Sequence, residues 1–229
     1  MRGVTFQGIE WLTVTDVPDP TIEHAGDAIV RVSVAGICGS DLHPYAGREI
    51  GIEPGTVMGH EFVGEVVEVG SDVQGLEVGD VVVAPFTTSC GECFYCLRGL
   101  TSRCEVGQLF GWREDGQGLH GGQAEYVRVP LASSTLVHVP EGMDPSVAML
   151  AGDILSTATY GADLAGIEDG DVVAVVGSGP VGLLAIRAAL EAGAEAVIAV
   201  DPVESRRGMA RKLGAVARSP GDARAAVDQ

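Results

Sequence analysis

The glycine-rich segment at residues 177–182 limits the possible folds more than any other part of the chain. It reads Gly-Ser-Gly-Pro-Val-Gly and follows the short apolar run Val172–Val176, which has the pattern of a strand buried on both faces of a parallel sheet. Residues 183–192 predict a helix, residues 196–200 a second buried strand, and residues 204–213 a second helix that stops at Gly214. The order strand, helix, strand, helix predicts an α/β region.

The same segment matches the G-x-G-x-x-G pattern of dinucleotide-binding turns, which is informative when a strand precedes it and a helix follows. Gly177 permits the tight turn, Gly179 lets the backbone approach a pyrophosphate, and Gly182 allows the helix to pack closely on the strand. With Pro180 and Val181, these glycines would form a cofactor-binding turn in which the pyrophosphate faces the helix N-terminus. The alternative is a glycine-rich turn that binds no ligand.

Asp201 follows the second predicted strand, at the distance from the glycines where dinucleotide-binding units carry a ribose-binding carboxylate. This carboxylate would accept hydrogen bonds from the adenosine ribose and repel a 2′-phosphate, so the sequence predicts NAD rather than NADP. Arg206 is a further candidate for cofactor binding. Together with Arg207, it leaves NADP as the less favoured alternative.

Before residue 144 the chain has the pattern of an all-β domain. Residues 28–35 alternate, with Ala28, Val30, Val32 and Val34 on one face, as in a half-buried strand. The short spacing of the strands, with Gly and Pro between them, suggests a barrel-like domain. The other strands are predicted at residues 4–6, 12–14, 62–69, 81–84, 124–129 and 135–139.

The pattern changes at Asp144, an N-cap residue that is followed by Pro145 at the first helical position. A helical stretch is predicted from there to Leu164, with a break at Gly152. We therefore expect two domains, residues 1–143 and residues 144–229.

Four of the five cysteines lie in one short loop with C-x2-C-x2-C-x7-C spacing, and they are Cys90, Cys93, Cys96 and Cys104. Such a loop can surround one Zn²⁺ tetrahedrally, and a closed shell of four thiolates leaves no position for substrate. The spacing therefore predicts a structural zinc site. The alternatives are two disulfides or redox-active C-x-x-C pairs, and the latter would require a βαβ context that this loop lacks.

A second set of potential metal ligands consists of Cys38 and the adjacent pair His60 and Glu61. Sulfur, imidazole nitrogen and carboxylate oxygen are the donors of catalytic zinc sites, which leave one coordination position open. A protease-type zinc helix is excluded, because the second histidine of His-Glu-x-x-His is absent. The alternative for the His-Glu pair is a solvated turn.

Charge and cysteine content exclude several function classes. The formal net charge of −18 and the pI near 4.4 would repel phosphate backbones, which argues against nucleic-acid binding. The odd number of cysteines favours reduced thiols and metal ligands over a disulfide framework. The N-terminus has no apolar signal region and no run of about 18 apolar residues occurs, so we expect a cytoplasmic protein that does not bind membranes.

In sequence order, the chain carries Cys38-Gly39-Ser40-Asp41-Leu42-His43, Gly59-His60-Glu61, the four-cysteine loop and the dinucleotide fingerprint. This combination resembles the zinc-dependent medium-chain alcohol dehydrogenases. The resemblance implies an α/β plus β protein, with a GroES-like β-barrel catalytic domain in residues 1–143. A partial Rossmann doubly wound domain is implied for residues 144–229.

The resemblance assigns Cys38 and His60 as ligands of a catalytic zinc ion. The third family ligand lies in the helical stretch before the Rossmann strand, which places it at Asp153. An aspartate here, followed by Ile and later by Tyr-Gly-Ala, is similar to the branch that includes formaldehyde dehydrogenases. Asp153 could also act as a helix N-cap, and the two roles are compatible. With the four-cysteine loop, two zinc ions per chain are implied.

The remaining family roles also transfer by resemblance. Glu61 resembles the carboxylate near the zinc that can become an alternative ligand, and Asp41 is expected to orient the ring of His60. Ser40 and His43 match the proton relay of the family. The implied reaction transfers hydride from a primary or secondary alcohol, or a hydrated aldehyde, to NAD, so the expected partner is a small alcohol or aldehyde.

A complete doubly wound sheet needs about 150 residues, whereas only residues 171–229 follow Gly170. The resemblance therefore implies a C-terminally incomplete enzyme with impaired activity, and we also expect a homo-oligomer. One alternative is a non-catalytic zinc-binding remnant of such an enzyme. Another is a dehydrogenase of the polyol or threonine type.

Overall fold

Strands dominate the first part of the chain, and helices alternate with strands after residue 144. The structure is a computed structural model that describes residues 1–223. Its internal contacts separate two units, Met1–Gly152 and Asp153–Gln229.

The strands are β1 (Arg2–Gly8), β2 (Trp11–Asp16), β3 (Ala28–Ala35), β4 (Phe62–Val69), β5 (Val81–Ala84), β6 (Trp112–Glu114), β7 (Gln117–Leu119), β8 (Tyr126–Val129), β9 (Val137–His138), β10 (Val172–Val176), β11 (Ala196–Val200) and β12 (Val216–Arg218). The helices are α1 (Leu42–Tyr45), α2 (Ala132–Thr135), α3 (Pro145–Gly152), α4 (Ile154–Ala165), α5 (Pro180–Glu191) and α6 (Glu204–Lys212), with 3-10 turns at Gly39–Asp41, Cys96–Arg98 and Thr101–Arg103.

The first unit is built on a five-stranded antiparallel sheet with the order β8-β3-β4-β5-β9. The alternation predicted for residues 28–35 is confirmed, since Ala28 and Val30 are buried in the core while Arg31 is exposed. Phe62 begins β4 at the centre of this core and meets Phe110 edge to face, with 5.2 Å between the ring centroids. The predicted all-β organisation of the first part of the chain is therefore confirmed.

Two predicted strands are shorter in the structure. The strand predicted at residues 124–129 begins only at Tyr126, because Ala124 forms an isolated bridge with Gly3 instead of joining the sheet. The strand predicted at residues 135–139 is reduced to Val137–His138, since the preceding residues form α2. Leu131 precedes this helix in the left-handed region, at φ 54°, and turns the chain into it.

Helix α3 belongs to the first unit, where it packs on β3, β4 and β5. Its last residue, Gly152, lies so close to β5 that a Cβ would collide with the carbonyl oxygen of Ala84. The predicted break in the helical stretch at Gly152 is confirmed, since α4 starts at Ile154. The contact division falls after α3, whereas the predicted domain boundary falls before it, and the domain assignment stays a prediction.

The second unit contains a parallel sheet with the order β10-β11-β12, as the α/β pattern predicted. Strand β12 was not predicted, because its three residues, Val-Ala-Arg, give no periodicity to detect. Helices α5 and α6 cover the sheet through an apolar cluster that includes Ile186, Val197 and Ala210. Small side chains such as Ala189 and Ala199 let the helices lie close to the strands.

The prediction that β10 is buried on both faces is wrong for the part of the chain that the structure describes. Val172 and Val176 have exposed fractions of 63% and 85%, whereas the central residues of β11 are buried. The reason is the position of β10, which pairs with β11 on one side and forms the edge of the sheet within residues 1–223. An apolar edge strand of this kind can pair with another chain.

We predict that the 229-residue chain self-associates through β10 and that Val176→Lys reduces the association, because a charged side chain on an edge strand opposes strand pairing. Solution mass measured by light scattering over a range of concentrations tests this. Val78→Lys is the matched control, since Val78 is also exposed, at 63%, but lies outside the described strands. A wild-type chain that is monomeric at every concentration would contradict the prediction.

Candidate functional site

The four cysteines of the loop converge as predicted. One sulfur from each of Cys90, Cys93, Cys96 and Cys104 lies within 4.8 Å of the other three, and none of these thiols is in a disulfide. Backbone N–H groups point at the sulfurs: the N–H of Cys93 donates to Sγ of Cys90 over 3.3 Å, and the N–H of Cys90 donates to Sγ of Cys104 over 3.3 Å. The loop therefore has the shape of a closed four-sulfur metal site.

Two thiols of this cluster have pKa values that are shifted in opposite directions. Hydrogen bonds from the backbone N–H groups of Cys96 and Glu105 lower the pKa of Cys93 to about 6. Burial, reinforced by the sulfur of Cys93, raises the pKa of Cys96 to about 12. Sulfurs this close to one another resist simultaneous ionisation unless a cation neutralises them.

The pairing of β3 with β4 brings Cys38 and His60 together. Ala35 is paired with Phe62 in the antiparallel ladder, so the residues just after β3 lie beside those just before β4. Asp153 follows Gly152, which is fixed against β5 by the close approach already described. One ligand atom from each of Cys38, His60 and Asp153 lies within 4.8 Å of the other two. The structure thus groups the three residues that the resemblance selected.

Asp41 connects the first two residues of this group and determines the tautomer of the histidine. Its Oδ1 lies 3.3 Å from Nδ1 of His60, and its Oδ2 accepts a hydrogen bond of 2.9 Å from the backbone N–H of Cys38. Because a carboxylate accepts, a neutral imidazole at this place would carry its proton on Nδ1 and leave the lone pair on Nε2. This is the arrangement in which a metal-binding histidine is held by a carboxylate behind it.

The predicted proton-relay residues occupy different environments. The hydroxyl of Ser40 lies 3.3 Å from Nε2 of His60 and, with that tautomer, donates to it. His43 lies in α1 with a side chain 46% exposed, and its Nδ1 is 3.7 Å from a carboxylate oxygen of Glu49. Within residues 1–223 no hydrogen bond joins Ser40 to His43, so the relay stays a prediction.

Glu61 is buried, with an exposed fraction of 4%, and its side chain lies against Gly36. A Cβ at Gly36 would be 2.6 Å from Oε2 of Glu61, so the glycine provides space for this carboxylate. Glu61 is outside the group of three ligand residues described above. Its role as an alternative metal ligand stays a prediction.

Asp153 occupies the N-cap position of α4 without using its carboxylate as a backbone cap. The N–H of Thr157 donates to its carbonyl oxygen over 2.8 Å, and the hydroxyl of Thr157 donates to Oδ1 over 3.2 Å. The carboxylate accepts no capping hydrogen bond from the N–H groups of this helix. Asp153 therefore stands at the N-cap of α4 and also belongs to the group of three donors, and its role as a metal ligand stays a prediction.

The glycine-rich turn has the geometry expected for binding a pyrophosphate. Gly177 has φ +95°, and at Gly182 a Cβ would collide with the carbonyl oxygen of Gly177. At Gly179, the N-cap of α5, a Cβ would meet no atom within 4 Å, so the backbone there is open to a ligand. The hydroxyl of Ser178 is buried and has no hydrogen-bond partner among the described residues. Pro180 and Val181 form the first turn of α5, so this helix begins three residues before the predicted start at residue 183, with proline at a position where its missing N–H costs nothing.

Asp201 is held at the end of β11 by the turn itself. Its Oδ2 accepts a hydrogen bond of 2.8 Å from the N–H of Ser178, and its Oδ1 accepts one of 2.7 Å from the N–H of Val203. These two donors lower the pKa of Asp201, and the guanidinium of Arg206, 3.9 Å away, acts in the same direction. The carboxylate is 2% exposed, whereas the Arg206 side chain is 56% exposed.

One residue near the metal-ligand group received no role from the sequence. Gln123 donates hydrogen bonds from its side-chain amide to Asp41 and to the carbonyl oxygen of Gly36. The available signal was the Gly121-Gly122-Gln123 triplet, where two successive glycines indicate close approach of another backbone. Nothing in the triplet identifies the partner.

Comparison with known proteins gives a consistent family assignment. Residues 24–141 match the family model described as the alcohol dehydrogenase GroES-like domain. The chain is 48% identical over 94% of its length to the medium chain reductase/dehydrogenase ucsI of Acremonium sp, and 46% identical over 94% to zinc-type alcohol dehydrogenase B of Aspergillus flavus. It spans 74% and 50% of the lengths of these two relatives.

Solved structures agree with this assignment. Alcohol dehydrogenase TADH from Thermus sp. ATN1 superimposes with a TM-score of 0.90 at 45% identity, over 97% of this chain and 64% of the other. A zinc-binding dehydrogenase from Sinorhizobium meliloti bound to NADP matches at 33% identity over 96% of this chain and 62% of its own, with a TM-score of 0.81. Among curated relatives, a glutathione-independent formaldehyde dehydrogenase of Pseudomonas aeruginosa is 38% identical over 93% of this chain and 57% of its own length.

No helix in residues 1–223 is long and apolar enough to cross a membrane.

The second and third glycines of the turn, Gly179 and Gly182, give a prediction about stability. Gly182→Ala should lower the free energy of unfolding by about 1–3 kcal/mol, because the added methyl group meets the backbone of Gly177. Gly179→Ala is the matched control and should leave stability nearly unchanged, since its Cβ would be in open space. Urea unfolding followed by circular dichroism measures both. Equal destabilisation by the two alanines would contradict the packing described for this turn.

Proposed function

Because this chain belongs to the zinc-type medium-chain alcohol dehydrogenase family, we propose that it is part of a zinc-dependent, NAD-linked alcohol dehydrogenase. Its substrate would be a primary or secondary alcohol, or a hydrated aldehyde. The observation that carries the proposal is the approach of three different donors, the thiol of Cys38, the imidazole of His60 and the carboxylate of Asp153, to within 4.8 Å of one another.

The donor set fits a zinc ion. Zinc binds sulfur at about 2.3 Å and nitrogen or oxygen at about 2.0–2.2 Å, so tetrahedral ligands lie about 3.5 Å apart. Donors already within 4.8 Å need only small side-chain rotations to reach that spacing. Three protein ligands leave the fourth position for substrate, which distinguishes this group from the closed four-cysteine loop. We therefore assign a catalytic ion to the first group and a structural ion to the second.

The dinucleotide turn fits a nicotinamide cofactor. The open space at Gly179 and the buried hydroxyl of Ser178 lie at the N-terminus of α5, where a helix favours negative charge. We propose NAD because the Asp201 carboxylate is ionised and would repel a 2′-phosphate. Arg206 lies close enough to offset part of this repulsion, and NADP is the alternative. Related structures have been solved with either cofactor, such as the NADP complex above and an Escherichia coli short chain alcohol dehydrogenase, rspB, with NADH at 28% identity.

The residues of the chain prepare the site for this chemistry. A bound zinc ion would supply Lewis acidity toward the substrate oxygen, and the nicotinamide would accept hydride. With the Asp41 carboxylate beside Nδ1 of His60, the neutral ring would carry its proton there and offer the lone pair of Nε2 to a metal ion. We propose that Ser40 removes the substrate proton and that His43, which is partly exposed, delivers it to solvent. Histidine suits this role because it exchanges protons near neutral pH.

The reaction class is tested by a screen of cofactor reduction over small alcohols, hydrated formaldehyde and polyols, with zinc-loaded protein and absorbance at the reduced nicotinamide band. The proposal expects turnover that depends on zinc and is abolished in His60→Ala. A preference for polyols would support the alternative substrate class. Substrate-dependent turnover that persists in His60→Ala would overturn the proposed role of the metal.

Metal content gives a prediction that does not depend on turnover. Purified under non-chelating conditions, the chain should carry about two zinc ions. Cys93→Ser should remove the ion of the four-cysteine loop and lower the thermal stability, because that loop has no regular strand to support it. His60→Ala should remove the ion of the other group with a smaller effect on folding. Elemental analysis with thermal unfolding measures both. A single zinc ion that only Cys93→Ser removes would exclude the catalytic centre as assigned.

Cofactor selectivity gives a second prediction. Asp201→Ser should weaken NADH binding and reduce the preference for NADH over NADPH, because the change removes ribose hydrogen bonds and the repulsion of a 2′-phosphate together. Asp163→Ser is the matched control, since it removes the same charge from an exposed position on α4. Titrations followed by nicotinamide fluorescence give both affinities. A wild-type preference for NADPH would contradict the assignment of NAD.

A further inference from the structure

We propose that Gln123 is a positioning residue of the metal centre: its side-chain amide fixes Cys38 and His60 relative to each other through Asp41. The inference rests on the proposed function, because it assumes that these residues bind a metal. It assigns a role to a side chain that lies 82 positions from Asp41 in the sequence.

The amide nitrogen of Gln123 makes two hydrogen bonds that use both of its hydrogens. Nε2 donates to Oδ2 of Asp41 over 3.1 Å and to the carbonyl oxygen of Gly36 over 3.0 Å. Asp41 in turn contacts the backbone N–H of Cys38 over 2.9 Å and Nδ1 of His60 over 3.3 Å. The side-chain amide therefore holds two points of the loop that carries Cys38, and it acts on His60 through Asp41.

The backbone of Gln123 is fixed beside the segment that leads into His60. The N–H of Gln123 donates to the carbonyl oxygen of Met58 over 2.9 Å, and the N–H of Gly122 donates to that of Gly59 over 2.9 Å. On the other side, the carbonyl oxygen of Gln123 accepts from the N–H of Val4 over 2.8 Å. The base of the glutamine side chain is thus held on both sides before the side chain reaches Asp41.

Two glycines fit the backbone and the side chain of Gln123 into this region. A Cβ at Gly59, where φ is +93°, would collide with Cγ of Gln123, and a Cβ at Gly122 would collide with the ring of Phe62. The glycine before His60 is therefore explained by the neighbouring glutamine as well as by its own backbone conformation. Gly59 therefore leaves the space that the side chain of Gln123 occupies, and Gly122 lets the backbone next to Gln123 lie against Phe62.

Two substitutions of similar side-chain size separate what the amide contributes. Glutamate would place a second carboxylate about 3 Å from that of Asp41, where the like charges repel. Methionine has nearly the same volume but donates no hydrogen bond, so it separates the filling of space from the donation of hydrogen bonds. Without the amide, the Asp41 carboxylate loses one of its three donors and can rotate away from Cys38 and His60. Loss of such supporting groups costs about 10–100-fold in metal affinity in other metal sites.

The test compares zinc release from wild type, Gln123→Met and Gln123→Glu into an excess of a chromophoric chelator. The release phase that is missing in His60→Ala identifies the ion of this centre, and the remaining phase reports the four-cysteine loop. We expect Gln123→Met to accelerate the first phase about 10-fold, with a larger effect in Gln123→Glu, and to leave the second phase unchanged. If the two phases overlap, a titration against zinc buffers measures the same change as a loss of zinc affinity.

Gln7→Met is the matched control. Gln7 is also half-buried in the first unit, and its Nε2 donates to the hydroxyl of Thr5 over 2.9 Å, away from Asp41. The same substitution there should leave both release phases at the wild-type rate. Thermal unfolding of both methionine variants shows how much either loses in general stability.

Each outcome decides one point. Wild-type release from Gln123→Met, with the first phase absent in His60→Ala, would overturn the positioning role and leave the proposed metal centre intact. Equal acceleration of both phases would overturn it as well, because the effect would then be general loosening of the fold. Full zinc content in His60→Ala would refute the proposed metal centre itself.

Discussion

The antiparallel pairing of β3 with β4 is the constraint on which the candidate metal centre depends. Cys38 and His60 come together because one follows the end of β3 and the other precedes the start of β4, at the rung where Ala35 faces Phe62. Side chains alternate between the faces of a strand, so a slip of one residue would turn Phe62 out of the core and His60 away from Cys38. The core around Phe62 and Phe110 therefore stabilises the register, and with it the site.

The sequence was sufficient for the parts of the molecule in which chemistry demands particular residues at fixed spacing. The four-cysteine loop and the glycine turn follow from the spacing of particular residues. The strand at residues 28–35 follows from side-chain alternation, and the strand at residues 62–69 from an apolar run. The structure forms these elements at the predicted positions. Asp153 is different, because nothing in its local pattern separates a ligand from a helix N-cap. Resemblance alone identified it, and the structure brings it to the other two donors.

What the sequence could not supply are contacts between distant segments. The hydrogen bond from Gln123 to Asp41 joins residues 82 positions apart, and neither residue type indicates which residue it will contact. The exposure of β10 has the same origin: an apolar run indicates a strand, but whether both faces are covered depends on what lies beside it. In the same way, β12 is too short to show a period, and it is recognisable only by its pairing with β11.

The charge of each donor set bears on the proposed assignment of one group to a catalytic zinc ion and the other to a structural one. A thiolate, a neutral imidazole and a carboxylate together carry two negative charges, which equal the charge of a divalent ion. The ion would therefore remain able to polarise a fourth ligand. Four thiolates carry four negative charges, so the ion in the loop would sit in a set with net charge −2 and have little remaining attraction for an oxygen. That excess must be offset, and the backbone N–H groups that lower the pKa of Cys93 to about 6 are placed to do so. In the first group the offset is unnecessary, and the neighbouring hydrogen bonds serve instead to orient the donors.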